Sequence, residues 1–312
     1  MMPNNLHFPP EGLRPPILYT LSELKSARES GEILEGTVLR CDTSFALHVS
    51  LGPFPGILPR EEVNAPWISG SERDIAVLSR VGKRICFTVK GIISDSKGAP
   101  LALLSRKEAQ EKAMDHFLEH LIPGDVLTGR VTRLESFGAF VDIGCGIIAM
   151  LPIEHISVSR IDHPRARFRP GQKILAVVRT LDRERRRITL SHRELLGTWL
   201  ENASLFQPGE TVQGIVRSVK DYGLFIELTP NLSGLANTRE DIHLGDGVSV
   251  FIKSIRPERM KIKLHVIEKL GAPPAIEPLR YQITDGTLDR WVYSPSVCDR
   301  APIETDFTAL SP

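Results

Sequence analysis

The sequence predicts a mainly β protein: three small five-stranded barrels in tandem, joined by short helices. Two observations carry this. PGDVLTGRVTRLESFGAFVDI (123–143) repeats as PGETVQGIVRSVKDYGLFIEL (208–228) at a constant offset of 85, with glycines and aromatics in step. Within each copy, short apolar runs such as VLTGRVTRL, AFVDI, ILAVVRTL and RITLS alternate with period two between glycine and polar turns. Five such strands in about 60–80 residues suit a closed barrel, which leaves no open edge.

The elements follow in order. Residues 1–30 read as an N-terminal extension whose helix starts at a capping box, Thr20 with Glu23. Residues 31–106 are a divergent first copy. GEILEGTV places Gly36 and Val38 where the next copy has Gly129 and Val131, and GILPREE (56–62) matches AMLPIEH (149–155). Phe45 then falls on Phe137, His48 on Phe140, and Leu101 where the later copies have Arg187 and Lys261. This copy is expected to keep the barrel and lose most of any polyanion-binding face.

Residues 107–121 form a linker helix, capped by Ser105 with Glu108, and residues 122–197 the second copy. Gly129 and Gly138 suit bends or bulges at barrel corners. A linker at 198–206 follows, with a helix over SHRELLGTWLENA (191–203) started by Ser191 and Glu194. Residues 207–268 are the third copy. In the tail, 269–312, Pro273, Pro274 and Pro278 mark a linker leading to a small hairpin that turns at Asp285–Gly286. Trp291 and Tyr293 there either anchor on a partner or pack on the third barrel.

The 312 residues have a net charge of only +1, unevenly spread. Residues 122–197 hold 13 Lys/Arg against 8 Asp/Glu, while the segments outside the three copies are acidic. A basic centre suggests a bound polyanion. No apolar run reaches the ~18 residues of a membrane span, and the N-terminal residues lack a signal-peptide pattern, so a cytoplasmic location is expected. Cys41, Cys86, Cys145 and Cys298 lie far apart, without metal-ligand or disulfide spacing.

Alternation in AFVDI sends Ala139, Val141 and Ile143 inward and Phe140 and Asp142 outward. A bend at Gly138 brings Phe137 to the same wet face, and Tyr222 and Phe225 repeat the arrangement, with Glu227 in the place of Asp142. Outward rings on a small barrel suit base stacking, which accepts any base. Phosphates would be held by Arg183, Arg185 and Arg187 before the fifth strand, by the loop containing Arg160, His163, Arg165, Arg167 and Arg169, and in the third copy by Lys261.

These strings resemble the S-one domain, the repeat of the bacterial small-subunit ribosomal protein S-one family. The resemblance is carried by PGDVLTGRVTRLESFGAFVDIG, AMLPIEHIS, HPRARFRPGQKI and RTLDRERRRITLSHREL, then by QGIVRSVKDYGLFIEL, SGLANTRED and KIKL. It implies OB-fold barrels that bind single-stranded RNA, with contacts from Phe137, Phe140 and Arg187, then Tyr222, Phe225 and Lys261. The family often has a histidine on the third strand; here Pro152, Asn237 and Pro59 stand there, and Asn237 can still bond a base or a 2′-OH.

No catalytic triad, phosphate-binding loop or metal-ligand spacing stands out. The expectation is a non-enzymatic RNA binder of translation that needs no cofactor or metal. It would hold mRNA at the small ribosomal subunit, contact that subunit's proteins, keep off membranes and be monomeric when free. The alternatives are a free regulatory RNA-binding protein and an accessory subunit of an RNA-processing enzyme.

Overall fold

The computed structural model describes residues 8–68, 70, 73–94, 98–272 and 279–310. Its strands close into three five-stranded barrels. Barrel 1 contains β1 (Leu34–Cys41), β2 (Leu47–Ser50), β3 (Pro55–Leu58), β4 (Arg84–Ser94) and β5 (Pro100–Ser105). Barrel 2 contains β6 (Val126–Glu135), β7 (Gly138–Gly144), β8 (Ile147–Pro152), β9 (Lys173–Asp182) and β10 (Arg187–Ser191). Barrel 3 contains β11 (Thr211–Lys220), β12 (Gly223–Thr229), β13 (Leu232–Ala236), β14 (Gly247–Arg256) and β15 (Lys261–Lys269). Around each barrel the order is first, second, third, fifth, fourth, with the third and fifth strands parallel. This is the OB topology.

Period-two alternation builds each core. Ala139, Val141 and Ile143 are fully buried, and so are Leu224 and Ile226 in barrel 3. Gly138 opens β7 where a Cβ would run into the carbonyl oxygen of Leu151; Gly223, at φ 155°, meets the carbonyl of Ala236 in the same way. The bulge in the first hairpin falls between Val131 and Arg133, not at Gly129, and recurs between Val38 and Arg40 and between Val216 and Ser218. Gly129 instead allows β6 to approach Val141 closely.

Two of the three anticipated helices form as read. α1 (Leu21–Ser30) carries the complete Thr20–Glu23 capping box, and Ser105 caps α3 (Arg106–His120) by accepting the Glu108 N–H. A short α2 (Asp74–Leu78) lies between β3 and β4. The helix expected over 191–203 does not form as one piece. Ser191 completes β10, residues 193–196 make a 3-10 turn, and Gly197 at φ 85° breaks the run. α4 (Trp199–Ala203) starts afresh from a second capping box, Thr198 with Glu201.

The tail also departs from expectation. Pro273, Pro274 and Pro278 lie outside the described residues. The two-stranded sheet pairs β16 (Arg290–Val292) with β17 (Glu304–Asp306), so its connection is 293–303 and not Asp285–Gly286. Gly286 and its neighbours are held by the chain entering β6: Val126 donates to Gly286 O at 2.9 Å and Leu288 to Gly124 O at 3.0 Å. Asp285–Gly286 still bends, with Gly286 at φ 85°, but the segment after it pairs with the chain entering β6 and not with residues 279–284. Trp291 and Tyr293 are each 4% exposed and pack in a core with Val126, Trp199, Val216 and Leu232. They fill the seam between barrels 2 and 3.

Tyr281 ties the tail to barrel 2 through a polar chain. The Leu175 N–H donates to Tyr281 Oη at 3.2 Å, Tyr281 Oη lies 3.2 Å from His192 Nε2, and His192 Nδ1 lies 2.8 Å from Ile156 O. Neutral His192 with its proton on Nδ1 completes this chain, Nδ1–H donating to Ile156 O and Nε2 accepting the Tyr281 hydroxyl. Burial holds its pKa down at about 4. The unfolded chain, titrating near 6.5, therefore binds more protons than the fold between about 6.5 and 4. His192 stabilises the fold above that window and the contribution is lost as pH falls through it. Asp142, whose pKa is raised, acts in the opposite sense. The melting temperature should fall less between pH 6.5 and 4 in His192→Gln than in the wild type; equal falls in calorimetry would refute the assignment.

Candidate nucleic-acid interface

The strand ladders sort outward side chains into rows. In barrel 2, Phe140 pairs with Met150 and Met150 with Thr189, giving one row across β7, β8 and β10. Asp142 and Ile148 form the next row, level with Arg187, which lies two residues before Thr189. In barrel 3 the equivalent rows are Phe225, Leu235 and Lys263, then Glu227, Ser233 and Lys261. In barrel 1, His48, Ile57 and Leu103 occupy the first row.

The two ring pairs have nearly the same geometry. Phe137 and Phe140 meet edge to face with centroids 6.0 Å apart and planes at 88°, and Tyr222 and Phe225 do so at 6.0 Å and 87°. Phe137 is 53% exposed and Tyr222 69%, while Phe140 and Phe225 are half-buried. Each pair therefore presents one exposed ring perpendicular to one half-buried ring. Exposed aromatic surface in this arrangement suits stacking on a planar ligand.

Basic groups flank both platforms. Arg133, the cross-strand partner of Phe140, places its guanidinium 4.5 Å from that ring's centroid. The sequence reading missed Arg133; the hairpin register, counted across the bulge, is the signal that finds it. Lys263 is the cation level with Phe225, and Lys261 sits one row further. Arg187 and Lys261 are both exposed. Arg183 is exposed but its Nε donates to Leu118 O at 3.2 Å, and Arg185 stands 3.7 Å from Asp182. Asn237 is exposed just beyond β13, level with Gly223.

The loop between β8 and β9 divides. Arg160, Arg165 and Arg169 are exposed, and their guanidiniums have no partner among the described residues. Arg167 is a correction: it is 4% exposed, and its NH2 lies 2.5 Å from Glu227 Oε2 in barrel 3. A guanidinium buried against a carboxylate is not open to phosphate. His163 is half-buried, with Nδ1 accepting the Arg165 N–H at 3.1 Å, so one ring nitrogen shapes the loop itself.

Asp142 and Glu227 are also corrections. Both point out of their barrels as alternation requires, but neither is wet. Asp142 is 2% exposed and accepts N–H groups from Glu11, Gly144 and Gly146. Burial, then the nearby Glu11 charge, raises its pKa. Glu227 is 7% exposed and is held by Arg217 as well as Arg167. Both carboxylates are covered and hydrogen-bonded, so neither puts open negative charge beside the rings; the partly exposed carboxylate near Phe140 is that of Glu135, 3.2 Å from Arg133.

Barrel 1 keeps the geometry with different chemistry. His48 stands opposite Arg40 across the bulge, as Phe140 stands opposite Arg133. Its Nε2 lies 2.9 Å from Asp42 Oδ2. Phe45 sits at φ 62° beneath the Arg60 guanidinium, 4.8 Å from its ring centroid.

Residues 121–193 match the family model for the S1 RNA binding domain. The chain is 34% identical over 185 residues to small ribosomal subunit protein bS1 of Leuconostoc lactis, covering 54% of this chain and 43% of that protein. It is 27% identical over 272 residues to the bS1 protein of Staphylococcus aureus strain COL, covering 82% and 66%. It is 30% identical over 200 residues to the bS1 homolog of Bacillus subtilis strain 168, covering 60% and 52%. The chain thus spans between about two fifths and two thirds of these relatives' lengths. The resemblance read from the repeated motif is borne out.

Proposed function

We propose that this chain, which carries an S1 RNA-binding domain and is related to the bacterial bS1 proteins, binds single-stranded RNA and holds mRNA at the small ribosomal subunit. One observation carries the reading: two ring pairs of matching geometry stand exposed on successive barrels, each beside exposed basic residues, Arg133 and Arg187 at the first and Lys261 and Lys263 at the second. Bases stack on the rings at roughly 1–3 kcal/mol each, and the arginines and lysines take the phosphates. Stacking is indifferent to base identity, which suits a protein that must accept many messages.

Two measurements test this. Affinity for a short oligouridine should fall with salt, with a log–log slope of about −0.7 for each phosphate neutralised. A flat salt response would argue against phosphate capture. Sedimentation of a cell extract should place the chain with the small subunit. A chain that binds RNA but stays at the top of the gradient is instead a free regulator.

A further inference from the structure

We infer that the basic loop of barrel 2 belongs to the RNA site of barrel 3: Arg160, Arg165 and Arg169 rim the Tyr222–Phe225 platform and not the Phe137–Phe140 platform. The inference rests on the RNA-binding reading and names the residues that complete one of its two sites.

The argument is one of placement. Arg167, at the centre of this loop, is pinned to Glu227 of β12. Further contacts fix the loop's start. Ser159 Oγ lies 2.8 Å from Ser233 Oγ in β13, the Ser159 N–H donates to Pro230 O at 3.1 Å, and the Val158 N–H donates to Asn231 Oδ1 at 3.0 Å. Glu227 and Ser233 are cross-strand partners on the outer face of barrel 3. The pair Phe225 and Leu235 is the next outward row, about 7 Å along the strands. The loop therefore lies across the row adjacent to the stacking ring.

Charge makes the same point. Arg165 and Arg169 lie two residues either side of the buried Arg167, both exposed and without side-chain partners among the described residues. Lys261 comes to the same row from β15. Barrel 3 on its own is neutral, with 8 Lys/Arg and 8 Asp/Glu over residues 207–268. The neighbouring loop supplies the positive rim that it lacks. At barrel 2 the equivalent outward position, Asp142, is covered by Glu11 of the N-terminal segment, which brings a carboxylate and not a free cation.

A mutant cycle tests the assignment. Arg160, Arg165 and Arg169 are changed together to Gln in three backgrounds: wild type, F137A/F140A and Y222A/F225A. Oligouridine affinity is read by fluorescence anisotropy. All three arginines are exposed, so the substitution leaves the fold intact. Groups acting at one site couple, whereas separate sites add. The loop change should weaken wild-type binding several-fold, keep that effect in F137A/F140A, and lose most of it in Y222A/F225A. Loss of the effect in F137A/F140A instead, an undiminished effect in Y222A/F225A, or no effect in wild type would each overturn the inference. Failure of the wild type to bind the probe would reject the RNA-binding reading itself, a distinct result.

Discussion

Replacing Phe137, Phe140, Tyr222 and Phe225 together by Ala should reduce affinity for single-stranded RNA by at least about thirtyfold, with little change in the melt. If each platform stacks even one base at roughly 1–3 kcal/mol, losing both removes at least about 2–6 kcal/mol, and about 1.4 kcal/mol is tenfold. What survives is the salt-dependent attraction of the cations for phosphate, so the variant should bind weakly and only at low salt. Stability should hold because Phe137 and Tyr222 are 53% and 69% exposed. Phe140 and Phe225 lie on the outer face, not in the barrel core. The pair F137A/F140A should leave barrel 3 working and show an intermediate loss. Anisotropy titration and thermal melting on the same samples decide it. Unchanged affinity with unchanged stability would exclude stacking. A collapsed melt would show that the rings are structural.

Much of this site was legible in the sequence because it is built from local rules. A repeated aromatic-Gly-x-Phe on alternating strands determines which ring faces out, and the structure follows that for Phe140 and Phe225. What local rules do not contain is what covers an outward position. Asp142 and Phe140 have the same parity, yet one is sealed by Glu11, distant by 131 residues, and the other is partly open. Arg165, Arg167 and Arg169 look equivalent as a string, but only the middle one meets a carboxylate 60 residues away. The tail failed for a related reason. Asp285–Gly286 has the composition of a tight turn, but the chain entering β6 offers its neighbourhood hydrogen bonds, and the hairpin closes later. The broken helix at 191–203 was a contest between two capping signals, and Gly197 decided for the second.

Arg106→Ala should cost about 3–5 kcal/mol of stability, the range for removing one partner of a buried ion pair. Arg106 opens α3 and is fully buried between barrels 1 and 2. Its Nε and NH2 donate to the Glu11 carboxylate at 2.6 and 3.0 Å, and its NH1 donates to Val63 O at 3.1 Å and Asn64 Oδ1 at 2.7 Å. Burial pushes the Glu11 carboxyl up, but Arg106, with Arg80 and the Cys86 amide, outweighs it and lowers its pKa. Without Arg106, Glu11 and Asp142 become neighbouring buried carboxylates, with Arg80 3.8 Å from the Glu11 carboxylate and Arg130 bonded to the Glu11 carbonyl. The Glu11 segment would then leave the seam, and the amides of Cys145 and Gly146, bonded to Pro9 O and to Asp142 Oδ1, should lose hydrogen-exchange protection. Arg106→Met with Glu11→Gln should recover part of the loss, because it removes both charges of the pair and leaves Arg80 with Asp142 as its opposite charge. Denaturant unfolding of the three proteins gives the comparison. A single Arg106→Ala loss below about 1 kcal/mol, the range of an exposed pair, would show that water reaches this seam and that the N-terminal segment does not bind barrel 1 to barrel 2.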